Sequence, residues 1–404
     1  MKKTTLAFAC LFFSAITYCS AQISYAPALQ HYFDFSADDT NKVILDFYND
    51  SFEKDTEYFG PITHGQTLFG DDINAQLGWI PDKHILLLGG IFVRKDFGNP
   101  NLEIIQPTWT LKLQSNNGFS FLFGNLESCS DHQYIEPLYE CFFPLFFYNQ
   151  IAQDPLETGI QLKVDKPWLW ADLWINWAHQ EYLNSNYHEH ITQGLSASAT
   201  LFKTSNEVFK VKLPVQYTLF HFGGQIDTVG RIPLVTLFNG ATGLCLDWDF
   251  SKRNSFISQV KLENYVCAFN DISNNPAGDV HTYPYRKGSA LYCNLFVKSK
   301  SGVGIMASYW NGMDWADPLG GDLYQSVSWA YRSYTENNRN LVFLNLFFQK
   351  ELFPNLFVDV RIQPYYDINL NIAEYSYFIF ATYKRTFTLT KVHLPKFDDG
   401  AYSR

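Results

Sequence analysis

Apolar and polar residues alternate along most of the chain, in segments that are separated by turn residues. Around residue 360, for example, Val358, Val360 and Ile362 share one face, while Asp359 and Arg361 share the other. Successive side chains of a β-strand point to opposite faces of a sheet, so a two-residue period is typical of strands. The pattern therefore predicts an all-β protein.

The alternating segments predict sixteen strands, joined by links of two kinds. Tight turns of a few residues alternate with much longer links along the chain. Short turns at one end and long loops at the other are typical of outer-membrane barrels, whereas a soluble sandwich has no reason to keep that order. The predicted strands are residues 73–79, 84–94, 103–114, 118–125, 159–165, 168–178, 194–202, 208–220, 241–250, 255–269, 289–299, 302–310, 323–334, 340–349, 355–367 and 374–390.

A membrane explains why the alternation is so regular. In hydrocarbon every backbone N–H and C=O needs a protein partner, so strands cross a bilayer only as a closed sheet. The outer face of that sheet meets lipid and must be apolar, whereas the inner face can be polar. We therefore predict a transmembrane antiparallel up-and-down β-barrel of about 16 strands, within a range of roughly 14 to 18, over residues 66–390. A soluble exported β protein is the alternative.

The two ends of the chain do not fit sixteen strands counted in this way. Barrel termini normally lie in the periplasm with the short turns, yet the last predicted strand ends on the other side. Residues 22–65 form an N-terminal segment that could hold an extra strand or a plug, and residues 391–404 form a C-terminal tail. Either residues 42–48 are a further strand and another strand is misassigned, or links between residues 310 and 375 are assigned to the wrong side.

The first residues have the features of a secretory signal peptide. Lys2 and Lys3 precede an apolar stretch over residues 6–16, and the small residues Ser20 and Ala21 follow it. A basic start, an apolar run of this length and a small-residue cleavage site are read by signal peptidase. We expect residues 1–21 to be removed, and together with the barrel pattern this predicts a location in the bacterial outer membrane.

Composition excludes two classes of protein. The chain has 404 residues, with 40 Asp and Glu against 30 Lys and Arg, and a formal net charge of −10. Aromatic residues make up 18%, which is far too many for a disordered chain. Acidity without a basic block argues against a nucleic-acid partner. Five cysteines lie beyond the signal peptide, of which Cys129 and Cys141 could pair, and the others are most simply apolar or lumen-facing fillers.

Several segments resemble an outer-membrane β-barrel family of the Bacteroidetes type, which is porin-like and has no assigned activity. The resemblance implies a barrel in the outer membrane and carries over no catalytic residue. It covers roughly residues 57–245. The segments are HGQTLFGDDINAQLGW (64–79), GGIFVRKDFGN (89–99), FGNL (123–126), HQYIEPLY (132–139), DPLETGIQ (154–161) and PVQYTLFHFGGQIDT (214–228).

A barrel of about sixteen strands leaves a water-filled lumen, which predicts a porin-like channel for passive diffusion of small hydrophilic solutes. The charges on the inward face suggest a mildly basic pore, and the inward aromatic rings could stack on saccharides. The partners are then outer-membrane lipid and small solutes, and the oligomeric state is open, a trimer being one option. The predicted pore-lining residues are Lys112, Lys163, Asp172, Trp170, Trp174, Lys210, Lys212, Asp247, Asp249, Lys261, Glu263, Lys298, Arg332, Asp359 and Arg361.

The longest predicted loop, residues 126–158, is unusually rich in apolar residues. An exposed patch of this kind is costly in water, so we expect the loop to fold into the barrel mouth as a constriction. Docking against a partner protein is the alternative. The candidate constriction residues are Tyr134, Tyr139, Phe142, Phe143, Phe146 and Phe147.

Signals for metals and enzymes are weak. His188, Glu189 and His190 are metal-ligand types, but they fall in a predicted loop where solvation is the simpler interpretation. His179 and His221 lie at strand ends and could act as bases, yet sequence spacing puts no Ser or Asp beside either. We therefore predict no cofactor, no metal and no enzymatic activity. The alternatives to a channel are an interaction or assembly component and a barrel that hydrolyses lipid.

Overall fold

The computed structural model describes residues 33–140, 145–147, 150–152, 156–185, 187–223, 234–273, 283–328, 331 and 333–392. The strands are β1 (Lys42–Glu57), β2 (Gln66–Asp82), β3 (Ile85–Asp96), β4 (Ile104–Gln114), β5 (Phe119–Asn125), β6 (Leu145–Phe147), β7 (Gln150–Ala152), β8 (Thr158–Lys166), β9 (Leu169–His179), β10 (Glu189–Lys203), β11 (Phe209–Gly223), β12 (Val235–Asp249), β13 (Ile257–Asp271), β14 (Lys287–Ser299), β15 (Val303–Met313), β16 (Asn338–Phe353), β17 (Leu356–Asp367) and β18 (Ile372–Lys391). Short 3₁₀ helices lie at Ala37–Asp39, Cys129–His132 and Asp322–Tyr324.

Sixteen of the described strands close into one antiparallel barrel. Each strand pairs with its neighbour in sequence, β5 pairs with β8 across the small β6–β7 sheet, and β1 pairs with β18 to complete the ring. The closing pair is long, since its register runs from Lys42 opposite Lys391 to Glu57 opposite Tyr375. Closure satisfies the backbone of both edge strands, as a bilayer requires. The predicted fold class is confirmed.

The strand count is right, but two of its members differ from the prediction. Residues 42–57 form β1, so the candidate strand at residues 42–48 exists and is longer than predicted. Residues 323–334 are not a barrel strand: within their described part they contain the end of a short helix and an isolated bridge from Val327 to Thr335. With this exchange the start of β1 and the end of β18 both lie beside the short turns, which removes the conflict over topology.

Side-chain direction follows the predicted alternation on most strands. Outward apolar side chains stay exposed on the barrel surface, as a lipid-facing band requires, and the inward positions are polar or aromatic and mostly buried. Exposed outward examples are Ile105, Leu213, Leu295, Leu346 and Ile379, and buried inward examples are Gln76, Thr110, Ser196, Asn294 and Ser376.

Two loop segments fold inward and fill the outer half of the lumen. The first plug segment is residues 126–140, and the second plug segment is residues 314–328. Their apolar side chains pack with inward aromatics of the barrel wall in one buried cluster, which includes Tyr134, Leu138, Trp174, Trp310, Trp315 and Tyr324. The core of this barrel is therefore in its lumen. In the part of the chain that the structure describes, no helix has the length and apolarity to cross a membrane.

Candidate functional site

The predicted pore-lining charges lie on inward faces, but mostly in ion pairs rather than along an open channel. Lys112 Nζ is 2.7 Å from Glu127 Oε1, and Lys163 contacts the other carboxylate oxygen of Glu127. Lys212 Nζ is 3.1 Å from Asp247 Oδ2. Lys212 and Asp247 neutralise each other, and Glu127 offsets one of the two positive charges beside it.

The remaining pore-lining candidates take several environments. Asp359 is ion-paired with Arg361 at 2.6 Å, the ammonium of Lys261 lies 5.5 Å from the Phe296 ring centroid, and Glu263 accepts a hydrogen bond from Tyr265. The role of the whole set in solute passage stays a prediction. Asp172 and Trp174 are buried, Lys210, Trp170, Asp249 and Lys298 are half-buried, and Arg332 lies outside the described residues.

The described part of the loop at 126–158 is anchored inside the barrel by a buried histidine. His132 Nε2 is 2.6 Å from Glu157 Oε2, and its ring stacks on Trp174 with centroids 4.6 Å apart. Tyr134 donates a hydrogen bond to the carbonyl of Tyr217, and Tyr139 donates one to Glu157. Cys141, Phe142 and Phe143 lie outside the described residues, as do the side chains of Cys129, Phe146 and Phe147.

This buried histidine is held as a cation. Burial alone would lower its pKa, but the carboxylates of Glu157 and Asp172 raise the pKa of His132 to about 10. A histidine that stays protonated cannot act as a base at neutral pH. Its side chain is fully buried, so no substrate reaches it. We assign His132 to anchoring the first plug segment.

Histidines also gather at the outer rim of the barrel, where β9, β10 and β11 end. His179 stacks on Tyr187 with ring centroids 4.1 Å apart, and His190 packs on Phe220 inside the rim. His188 is buried, with its Nδ1 atom 3.7 Å from Glu181 Oε2. Among the described residues, no three His, Cys, Asp or Glu side chains are grouped so that they could hold a metal ion.

His221 differs from the other rim histidines because a hydroxyl group lies beside it. Strand pairing puts His221 directly opposite Thr236, and both side chains point outward, toward lipid. The distance from His221 Nδ1 to Thr236 Oγ1 is 2.9 Å. Both residues are half-buried and reachable from the surface. A nucleophile and base within hydrogen-bond reach are the first requirement for acyl transfer.

His221 and Thr236, which form the candidate catalytic dyad, each have further neighbours that fix their positions. Ser273 Oγ accepts a hydrogen bond from the backbone N–H of Thr236 at 2.8 Å, and the N–H of Ser273 donates to Asp271 Oδ1. On the other side, His221 Nε2 lies against Gly223, where an added Cβ would be only 2.9 Å away. Glu189 is opposite Gly223 on the same outward face and acts on His221 electrostatically. The arrangement therefore puts a hydroxyl in contact with the imidazole, with a carboxylate near it on the neighbouring strand.

The dyad lies just outside an aromatic pair on the lipid-facing surface. Phe238 and Tyr217, one and two outward positions nearer the membrane centre than Thr236 and His221 respectively, stack with centroids 5.9 Å apart. Aromatic side chains concentrate at the level of the lipid headgroups. An aromatic pair beside the His221–Thr236 contact is typical of that level.

Sequence reasoning found His221, named Glu189 only as a metal-ligand type, and missed Thr236 and Ser273. The three come from different strands or from the residues just after one, and they meet His221 only through the register of β10 to β13. An outward polar residue at a strand end is the one signal that the sequence offers, because outward positions are otherwise apolar.

The barrel is similar to solved outer-membrane proteins, at low sequence identity. A loop-deletion mutant of OmpT from Vibrio cholerae is 14% identical, with a TM-score of 0.49, and the match covers 85% of this chain and 100% of that one. OprD from Pseudomonas aeruginosa is 9% identical, with a TM-score of 0.49, over 91% and 98%. No curated protein sequence matches the chain. The Bacteroidetes origin implied by the resemblance stays a prediction.

A family model described as Lipid A 3'-O-deacylase-type matches residues 35–392. The match spans the whole described barrel, and the family that it defines is one of enzymes. The prediction that the chain has no enzymatic activity is therefore wrong, because it rested on sequence spacing that could not reveal a partner for His221. The chain belongs to the Lipid A 3'-O-deacylase-type family.

Proposed function

We propose that the protein hydrolyses an ester-linked acyl chain of an outer-leaflet lipid, with lipid A as the first candidate substrate. The observation that carries this proposal is the 2.9 Å contact between His221 Nδ1 and Thr236 Oγ1 on the lipid-facing surface. Family membership supports the reaction class. The depth of the dyad, beside the Tyr217–Phe238 pair, supports a substrate that is embedded in the membrane.

The proposed reaction is acyl transfer through Thr236. His221 takes the hydroxyl proton while Thr236 Oγ attacks the ester carbonyl carbon, and the alcohol of the lipid leaves with the proton from His221. Water, deprotonated by the same imidazole, then attacks the acyl-threonine, which releases the fatty acid and regenerates the Thr236 hydroxyl with the proton returned by His221. Glu189 stabilises the imidazolium that forms in each half-reaction.

The lipid reaches this site from the side rather than through the barrel. Thr236 and His221 face outward, and the wall below them presents apolar side chains, among them Leu219 and Phe238, along which acyl chains can lie. The polar head of the lipid would then extend past the rim into water. This geometry needs no open lumen, which agrees with a lumen whose outer half is filled.

The test is acyl release by the full-length mature protein in mixed micelles that contain purified lipid A or phosphatidylethanolamine. Mass spectrometry should detect the loss of one ester-linked chain. Thr236→Val keeps the side-chain shape without the hydroxyl, and His221→Asn removes the base. Each should lower the rate by about 10²–10⁴-fold.

A matched control lies on the same strand and the same face. Thr242 is outward on β12, and its hydroxyl bonds the carbonyl of Pro214 rather than a histidine. Thr242→Val should retain wild-type activity. A wild-type protein that cleaves neither lipid, or a Thr236→Val variant as active as wild type, would overturn the proposal.

A further inference from the structure

The two plug segments meet inside the barrel through a set of short polar contacts. The N–H of Gly321 donates to the carbonyl of Glu136 at 2.9 Å, and the N–H of Glu140 donates to the carbonyl of Leu319 at 2.7 Å. The hydroxyl of Tyr324 donates to Glu136 Oε2 at 2.9 Å. These contacts join the two plug segments to each other inside the outer lumen.

Three carboxyl groups share one cation at this junction. The carboxyl of Glu140 lies beside that of Glu136 in the first plug segment, so ionising both at once is unfavourable. Asp322 of the second plug segment faces Glu140 and Lys54. The nearby ammonium is that of Lys54, whose Nζ lies 3.5 Å from Glu140 Oε1. With all three carboxyls ionised, the junction would carry a net charge of about −2 in a region of low dielectric constant.

The remaining groups that face Glu136 are hydroxyls. They come from Tyr58 after β1, Tyr292 on β14 and Tyr324 on the second plug segment. None of these supplies a second positive charge. Glu136 and Asp322 are half-buried, so protons can exchange with solvent there, while Glu140 and Lys54 are buried.

The two plug segments are attached to the barrel wall with different strength. The first is held by charged contacts of His132 and Glu127. The second is held by neutral hydrogen bonds, such as Asn239 Nδ2 to the carbonyl of Ala316 at 2.8 Å and Ser328 Oγ to the carbonyl of Ile62 at 3.0 Å, and by apolar packing of its buried side chains. Because charged contacts hold the first plug segment to the wall, the second is the part expected to move if the junction is broken.

We propose that the junction of Glu136, Glu140 and Asp322 is a proton-locked gate, and that its deprotonation releases the second plug segment and lets ions pass through the lumen. This is an activity separate from lipid hydrolysis, which uses the outer surface. The passing species are small hydrated ions and solutes. No bond is made or broken in this step other than the loss of a proton to solvent.

The sign of the pH dependence follows from the closed state binding more protons than the open one. Burial and the neighbouring Glu140 raise the pKa of Glu136 above its ordinary value of 4.5, and burial beside Glu140 raises the pKa of Asp322 to about 7. In the open state both groups are hydrated and titrate normally. The ratio of closed to open forms then falls as pH rises above about 4.5, by up to tenfold per pH unit for each group, until the closed-state carboxyls have also ionised.

The experiment is conductance of the full-length mature protein in a planar bilayer with KCl, between pH 5 and pH 8.5. Wild type should be closed at pH 5 and conduct increasingly as pH rises. Glu136→Gln keeps a hydrogen-bonding side chain without a charge and should stay closed at pH 8.5. Lys54→Met removes the shared cation and should shift opening to lower pH.

Glu103→Gln is the matched control, since Glu103 is an exposed carboxyl on another outer loop. It should titrate like wild type. Hydrogen–deuterium exchange at pH 8.5 should show faster exchange for residues 314–328 than at pH 5, with residues 126–140 unchanged. A conductance that does not vary with pH, including one that is zero throughout, would overturn the proposal. So would a Glu136→Gln variant that opens as wild type does.

Discussion

His132 and Asp172 are 40 positions apart in sequence, yet their side chains meet inside the barrel with His132 Nδ1 2.9 Å from Asp172 Oδ2. Glu157 holds the other ring nitrogen. One loop residue thus joins the carboxylate of a wall strand to the carboxylate that precedes β8. This contact, rather than an apolar surface alone, fixes the first plug segment in the lumen.

Replacing His132 should destabilise the barrel strongly. His132→Asn leaves two buried carboxylates without their cation, which costs about 3–5 kcal/mol when a buried pair is broken. The free energy of unfolding, measured by urea titration in lipid vesicles with tryptophan fluorescence, should fall by that amount. The raised pKa of His132 also sets a pH dependence. The stabilisation that His132 contributes to the folded state is complete below pH 6.5 and is lost as pH rises through about 10. His64→Asn, at an exposed site, is the control and should change little.

Glu127 gives the opposite pH dependence. Burial alone would raise its pKa, but Lys112 and Lys163 lower the pKa of Glu127 far below the ordinary 4.5. Its carboxylate also accepts a hydrogen bond from the N–H of Phe33. The stabilisation is therefore present above pH 4.5 and is lost as pH falls below it. In vesicles, the free energy of unfolding of wild type should decrease with acidification in that range, whereas Glu127→Gln should start lower and show a flatter profile.

The lipid-facing assignment of β17 can be tested at one position. Val360 points outward between Phe348 and Ile379 on the neighbouring strands. Val360→Arg puts a charge against hydrocarbon and should cost about 2–4 kcal/mol near the bilayer centre. Val360→Leu is the control and should be nearly neutral. If the arginine variant unfolded at the same urea concentration as the control, the assignment of this face would be wrong.

The position of the imidazole at the proposed catalytic dyad depends on a glycine. A Cβ at Gly223 would lie 2.9 Å from His221 Nε2 and 3.1 Å from its Cε1 atom. Gly223→Ala should therefore turn the ring away from Thr236 and lower acyl release by at least about tenfold, since base and nucleophile lose hydrogen-bond contact. The barrel should fold normally. Gly89→Ala on β3, where the nearest atom to an added Cβ is 3.9 Å away, is the comparison and should stay active.

The sequence predicted the barrel because an apolar lipid-facing side and a polar inward side produce the two-residue alternation. The prediction failed for segments in which that contrast between the two faces is missing. The first strand carries Asn49, Ser51 and Glu53 outward and Asp50 and Lys54 inward. Its second half is polar on both faces, so hydropathy indicates a strand only over residues 42–48 and gives no two-residue pattern beyond them. The second plug segment has the opposite problem, because it shows the alternation but is not a barrel strand. Its apolar residues at alternate positions, such as Leu323 and Val327, are buried in the lumen rather than exposed to lipid.

The candidate site was predictable only in part. His221 stands out in sequence as a polar residue where lipid-facing side chains are expected. Its contact with Thr236 depends on the register of β11 against β12, and a long loop separates the two strands in sequence. Spacing along the chain contains no information on such a pairing. The lumen-filling plug likewise depends on long-range contacts, such as that of His132 with Asp172.

The polar outward face of β1 leads to a last prediction about stability. Glu53 points outward and lies opposite Ile379 of β18 and Phe69 of β2, both of which are exposed to lipid. The hydroxyl of Tyr377 donates to Glu53 Oε1 at 3.1 Å, which offsets part of the cost of a carboxylate at this depth. Glu53→Leu should therefore raise the free energy of unfolding in vesicles by about 1 kcal/mol or more, and Glu53→Gln should raise it less. A leucine variant less stable than wild type would mean that this face contacts a polar partner instead of hydrocarbon, and crosslinking from position 53 in native membranes would then identify what covers it.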